Sequence, residues 1–331
     1  MSTPQMPAVP PERLIGCGLA IGDLQGFGRV DAEGSLISLA FDRVGGTVRA
    51  SQPERPLLSL HVDGEVTWVG AYVPGTNVLE STARTEAGEL RVVDFMALAE
   101  GRPGQGEALA RGRFVRIVTC TEGELTLRMV CAARASGEPA TQASTIDGWH
   151  LACSRPLVFG DAAATASLRL VAGESVAFML GKDAIEGGAA LVADALHGLG
   201  DTIHYWTWWS DRCRYKGDDF DAVLREALAL KLACPGSGLM VEQRGDAGFA
   251  VASLGDMSRA ASRFLELGYR QECADLLSCV YAHGPSSTLG RWAYDDAFVE
   301  TLDRYVARYG MAQLPGALRA AVDVPAQSLA S

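Results

Sequence analysis

Two periods divide the chain. From Leu14 to about Gly181, apolar and polar residues alternate in short runs separated by glycine and other turn residues, with almost no helical spacing. In "RFVRIVTCTEGELTLRMVCAA", Phe114, Arg116, Val118 and Cys120 share one face and Val115, Ile117 and Thr119 the other. Leu125, Leu127 and Met129 then alternate with Thr126 and Arg128. This pattern predicts two strands around a turn at Glu122-Gly123. "SLRLVAGESVAFML" has the same design with its turn at Ala172-Gly173, and "PLLSLHVDGEVTWVGAYV" carries an Asp63-Gly64 step between short runs, a strong local hairpin signal. Recurrent short strands of this kind predict a large antiparallel sandwich over 14–181 rather than a parallel sheet with interleaved helices.

From about Gly188 the apolar residues recur at three and four. Leu191, Ala195, Leu199 and Ile203 make one stripe, and Phe220, Val223, Leu224, Ala227, Leu228 and Leu232 a second. Leu254, Met257, Ala261, Phe264 and Leu265 follow, then Cys273, Leu276, Leu277 and Val280, then Phe298, Leu302, Tyr305 and Val306. The chain therefore reads as β first and α second, with residues 188–323 mainly helical.

Composition narrows the function classes. A length of 331 residues suits two domains, and 48% apolar residues can supply packed cores. A net charge of −11 argues against nucleic acid or an anionic membrane as partner through a basic face. No apolar run reaches the roughly 20 residues that span a bilayer, and the proline-rich start lacks the pattern of an export signal. Eight scattered cysteines without a CxxC pair read as reduced thiols, so a cytoplasmic location is expected. The five histidines show no metal-ligand spacing, and no metal or cofactor is expected. "GCGLAIGDLQGFG" (Gly16 to Gly28) lacks the helix that a dinucleotide loop opens into, and reads as glycine-rich strand turns. Arg244-Gly245-Asp246 reads as a chance tripeptide.

Two stretches carry candidate chemistry. "SLGDMSRAASRFLELGY" (Ser253 to Tyr269) has one acid near its helix start, Asp256. Ser253 followed three residues later by an acid is a capping-box-like pattern, so a structural role competes with a catalytic one. "HYWTWWSDRCRY" (His204 to Tyr215) is the most aromatic stretch. Trp206 and Trp209, three apart, suit packing on the β half better than sugar stacking.

Several segments together resemble one family, bacterial glycoside hydrolase family 15, the trehalase-like and glucoamylase-like group. "VPGTNVLES", "LRVVDFM" and "RFVRIV" resemble successive strands of its N-terminal domain. "WWSDRCRYKG" is similar to the end of its interdomain helix, "VLREALALK" to its first barrel helix, "LGDMSRAASRFLELGY" to a signature helix and "TLDRYVARYG" to a later one. The resemblance implies an antiparallel β-supersandwich followed by an (α/α)6 barrel. On this reading residues 1–13 form a flexible tail, 14–187 the trehalase-like β-sandwich domain, 188–216 the interdomain helix and 217–331 a truncated helical domain.

The departures from the family matter for activity. Its signature helix begins with an Arg-Asp pair; here Asp256 is present, but Gly255 holds the arginine position. The glucose-gripping run before it is replaced by "DAGFAV". Where the family places its catalytic acid after a tryptophan, Ala293 follows Trp292. No counterpart of the later catalytic base is present. An inverting glycosidase needs a carboxylic acid to protonate the leaving oxygen and a second carboxylate to activate water, and alanine can do neither. A six-hairpin barrel also needs about twelve helices, whereas the roughly 140 residues after the sandwich allow about six.

The resulting expectation is an incomplete (α/α) barrel-like helical domain and a degenerate family member without hydrolase activity, acting in carbohydrate binding, regulation or protein interaction. An alternative is a repurposed enzyme with Asp256, Asp295, Asp296 or His283 as acid or base in a remnant pocket; residual trehalase or α-glucosidase activity ranks third. Trp292 and Tyr294 are candidates for contacting a sugar or another small ligand. An incomplete barrel should leave Phe264, Leu265, Phe298 and Leu302 partly uncovered, which predicts a homodimer or a protein partner joined through 250–323.

Overall fold

The computed structural model describes residues 19–41, 56–99, 109–132, 135–136, 143–146, 149–159, 163–234, 239–243, 249–284 and 294–323. The tail 1–13, the Arg244-Gly245-Asp246 tripeptide, Trp292 and Ala293 lie outside the described residues. Internal contacts divide the chain into a β unit, Cys17–Ser210, and a helical unit that contains Asp211–Ser331.

The β unit is one curled antiparallel sheet of fourteen strands, and a single strand organises it. This strand, β8 (Leu109–Cys131), is 23 residues long, several times the usual five or six. Its first part pairs with β7 (Gly88–Ala99) on one side and β14 (Ser175–Gly181) on the other. Its last part, from Glu124, pairs with β13 (Ala164–Val171) and β4 (Leu58–Val62).

Each neighbour extends a leaf of the sheet. From β7 the ladder continues to β6 (Leu79–Thr85) and β5 (Thr67–Tyr72). From β14 it runs to β11 (Trp149–Cys153), β10 (Ala143–Ile146) and β9 (Ala135–Ser136). From β4 it runs to β3 (Leu36–Phe41), β2 (Gly26–Val30) and β1 (Leu19–Gly22). β13 ends on β12 (Val158–Phe159).

This topology corrects the local pairings. Glu122-Gly123 is not a turn: β8 runs straight through it, and Gly123, with φ of 72°, bends the strand from one leaf into the other. Asp63-Gly64 and Ala172-Gly173 do turn the chain, but neither closes a hairpin. β4 pairs with β8 and β5 with β6; β13 and β14 both pair with β8, at different ends. All three glycine steps are corners between the leaves. A hairpin signal reports a local reversal and leaves the partner of each strand open.

Alternation puts each leaf's apolar residues on opposite faces. Ile21, Leu36, Leu60, Val92, Phe114, Val118, Leu127, Met129 and Phe178 belong to one buried cluster that draws on both leaves. Val93, Phe95, Val115, Ile117, Ala177 and Met179 point the other way. There they meet Leu191 and Ala195 of helix α1 (Ala190–Ser210), with Leu199 and Ile203 packed beside them. Thr202 ties this helix to the sheet: its hydroxyl accepts from the Leu98 N–H (3.0 Å) and donates to the Gly198 carbonyl (2.7 Å). Trp206 and Trp209 are fully buried and meet edge to face at 6.2 Å.

Among its described residues the helical unit contains α2 (Phe220–Ala233), α3 (Leu254–Leu267), α4 (Arg270–His283), α5 (Asp296–Tyr309), a 3-10 turn (Met311–Gln313) and α6 (Gly316–Asp323). A short hairpin, β15 (Val241–Gln243) with β16 (Phe249–Val251), precedes α3. Helix α3 packs on α4 and α5, and α4 on α6. Phe264, Leu265, Phe298 and Leu302 are buried by the chain itself, at 0%, 2%, 0% and 0% exposure. The expectation that they stay partly uncovered is thereby corrected: the amphipathic faces of α3 and α5 cover one another, and the apolar reason for association through this face disappears.

Candidate functional site

The candidate acids meet at two helix starts. Ser253 is extended (φ −64°, ψ 154°) and stops the chain from continuing the helix backwards, so α3 opens at Leu254. Its hydroxyl oxygen accepts from the Asp256 N–H at 3.1 Å and donates to Asp256 Oδ2 at 2.6 Å. One turn on, the Arg259 guanidinium bonds Asp256 Oδ1. The N-cap half of the capping-box-like pattern is thus present: the Ser253 hydroxyl bonds the Asp256 N–H, and the Asp256 carboxylate returns to that same hydroxyl.

Asp295 does the same for α5. Its Oδ1 accepts from the Phe298 N–H at 2.8 Å. Its Oδ2 lies 3.2 Å from the point where a β-carbon on Gly255 would stand, with Arg259 Nη1 at 3.6 Å and Ser253 Oγ at 4.0 Å from the same point. The fold thus assembles Ser253, Asp256, Arg259 and Asp295 around the bare backbone of Gly255. What this cluster does chemically is hold two carboxylates at helix N-termini, where the helix dipole favours negative charge.

The other candidates are placed apart in role. Asp296 is exposed in the first turn of α5. His283 is exposed in the last turn of α4, its Nδ1 3.0 Å from the Cys279 carbonyl and 3.6 Å from the Cys279 sulfur. Burial pushes the Cys279 thiol up, away from the thiolate a nucleophile needs. The Tyr294 hydroxyl donates to the Tyr281 carbonyl at 2.9 Å, and its ring stacks on Phe298 at 4.5 Å. The ring also lies against Gly284, where a β-carbon would stand 2.2 Å from Cε1. Tyr294 joins the end of α4 to the start of α5.

A cavity of about 520 Å³ opens elsewhere in the helical unit, lined by Asp211, Arg212, Cys213, Arg214, Lys216, Gly268, Arg270 and Gln271. Asp256, Asp295, Asp296, His283 and Tyr294 do not line it. Among the described residues no group of three or more His, Cys, Asp or Glu side chains is placed to hold a metal ion. No described helix is long and apolar enough to cross a membrane.

Three buried charged residues of the β unit were not among the candidates read from the sequence. Asp23, in the glycine-rich stretch, accepts from Gln25 (3.2 Å) and Gly26 (2.9 Å) at Oδ1 and from Gly112 (3.0 Å) at Oδ2. Burial outweighs these bonds and raises its carboxyl to about 6. Arg116 and Asp94, directly opposite each other on β8 and β7, form a buried ion pair. Burial pushes the Asp94 carboxyl up, and Arg116 opposes that push. The available signal was Arg116 itself, a charge on an otherwise apolar face.

Comparison with family models finds no match, and comparison with curated proteins finds none of stringent similarity.

Proposed function

We propose that this chain is a degenerate protein of the glycoside hydrolase family 15 type that does not hydrolyse glycosides. Its curled sheet stands for the β-supersandwich and its helical unit for an incomplete (α/α) barrel, and it acts in carbohydrate binding, regulation or protein interaction. The order of the segments that resemble the family supports this reading, as does the order of the two units.

One observation carries the loss of activity. Asp256, the acid that survives from the family's signature helix, is gripped by Ser253 and Arg259 as a helix cap. Its neighbour Asp295 caps α5. A general acid must release a proton to the leaving oxygen. Both oxygens of Asp256 are already engaged, Oδ2 by the Ser253 hydroxyl and Oδ1 by the Arg259 guanidinium, and Asp256 does not line the cavity of the helical unit.

Purified protein incubated with trehalose, maltose and isomaltose is expected to release no glucose. Release that disappears in Asp256→Asn, with the fold intact by circular dichroism, would overturn the proposal.

A further inference from the structure

We infer that the cavity at the junction of α3 and α4 is a binding site for the phosphate monoester group of a small molecule. The inference stands independently of the family reading.

The cavity is built from the loop 211–216, which leads into the helical unit, and from the α3–α4 turn. The Arg214 N–H donates to the Leu267 carbonyl at 2.8 Å, which fixes the loop to the end of α3. Four cations, Arg212, Arg214, Lys216 and Arg270, line the space against one carboxylate, Asp211. In a chain with net charge −11, such a concentration runs against the composition. Like charges repel, so a cluster of this kind is stabilised by an anion between them.

Two of the three guanidinium groups, and the stem of the third arginine, are held in place before any ligand arrives. Arg212 donates to Glu272 at 2.9 Å and lies over the Tyr269 ring at 5.7 Å. Arg270 donates to the Gln313 side chain at 2.9 Å. The stem of Arg214 runs across Gly268, its Cγ 2.7 Å from where a β-carbon there would stand. Gly268 is left-handed, with φ of 94°, and its bare backbone makes that crossing feasible. Of these four cations, Arg212 shares Glu272 with Lys231, which does not line the cavity. Arg214 and Lys216 have no ion-pair partner among the described residues and are exposed at the cavity.

The amino end of α4 points the same way. Arg270 and Gln271 open this helix of 14 residues, and the Tyr269 side chain does not cap it. Its partial positive charge adds to that of the side chains. Arginine forks match the oxygens of phosphate in pairs, and lysine adds a point charge. A volume of about 520 Å³ exceeds what a bare phosphate needs and falls in the range of small-molecule sites. The remaining space takes the organic body of the ester, with Gln271 and Asp211 as polar contacts.

The test is calorimetric titration of the full chain with inorganic phosphate, glucose 6-phosphate and glucose, at low and at physiological salt. Both phosphates are expected to bind saturably, more weakly as salt rises, and glucose is expected not to compete. Arg214→Gln with Lys216→Gln removes both charges, keeps the first two methylenes of each side chain, and should weaken binding at least about tenfold, with an unchanged Tm. No saturable binding of either phosphate would overturn the inference. So would binding unaffected by the double substitution, or glucose binding as tightly as its phosphate. An RNA oligomer bound far more tightly than glucose 6-phosphate would also overturn it, by showing a polyanion surface rather than a small-molecule site.

Discussion

Arg116 grips Asp94 with two parallel hydrogen bonds, Nε to Oδ1 and Nη2 to Oδ2, each 2.7 Å long, and both side chains are sealed from solvent at 0% and 1% exposure. Nη2 also donates to the Gly34 carbonyl at 2.6 Å, which draws the β2–β3 connection onto the pair. Nη1 has no hydrogen-bond partner among the described residues. The pair sits on the inner face beside Phe114 and Val118, where the sheet is otherwise apolar.

Removing one partner leaves a buried charge without compensation. Asp94→Leu or Arg116→Met alone should cost about 3–5 kcal/mol, whereas the two together should recover most of that loss. Urea unfolding of the three variants checks this. Additive losses would show that the two residues do not act as a pair.

Asp23 makes stability depend on pH in an unusual direction. Its carboxyl titrates near 6 in the fold and near 3.8 in the unfolded chain, because burial disfavours the charge. Between those values the folded state holds more protons than the unfolded state. The contribution of Asp23 is therefore fully present below the lower value, falls as pH rises through the window, and is lost above the upper one. Asp23→Asn cannot ionise; it loses the acceptor at one oxygen, a cost independent of pH. In denaturant titrations the variant should gain on the natural protein from pH 4 to 6 and hold a constant difference above that. A difference that is flat over this window would refute the assignment.

Gly123 faces Gly88 where β8 bends. A β-carbon on Gly123 would stand 2.0 Å from the Ala87 carbonyl oxygen and 2.9 Å from Gly88 Cα. Gly64, at another corner, has φ of 95° but nothing within 4 Å of such a carbon. Gly64→Ala should therefore cost only the left-handed strain, about 1–2 kcal/mol. Gly123→Ala must also separate two backbones, and should cost at least about 2 kcal/mol more. Thermal unfolding of the two variants side by side separates strain from crowding. Equal losses would mean that the strands part without penalty at the bend.

What the sequence determined by itself was the period of each element and the side each residue faces. A strand's side chains alternate and a helix's recur near 3.6, whatever the partner. Phe114 and Val118 could thus be separated from Val115 and Ile117, and the stripes of α1 to α5 located. The cap at Ser253 and Asp256 was legible for the same reason, since its hydrogen bonds span only three residues. The hairpin of β15 and β16 was not, because strands of three residues are too short to show a period.

Partners that are distant along the chain were decided only by the tertiary structure. Nothing local tells that β8 continues past Gly123, or that Asp63-Gly64 and Ala172-Gly173 turn between leaves instead of closing hairpins. Those outcomes follow from pairing against a strand long enough to serve two leaves. Arg116 needed Asp94, 22 positions away, to make its burial tolerable. The cover over Phe264 and Phe298 comes from helices meeting helices. The basic cavity exists because Gly268 lets the Arg214 stem cross the turn before Arg270. Burial and charge are balanced over the whole fold, so these features have no local pattern to read.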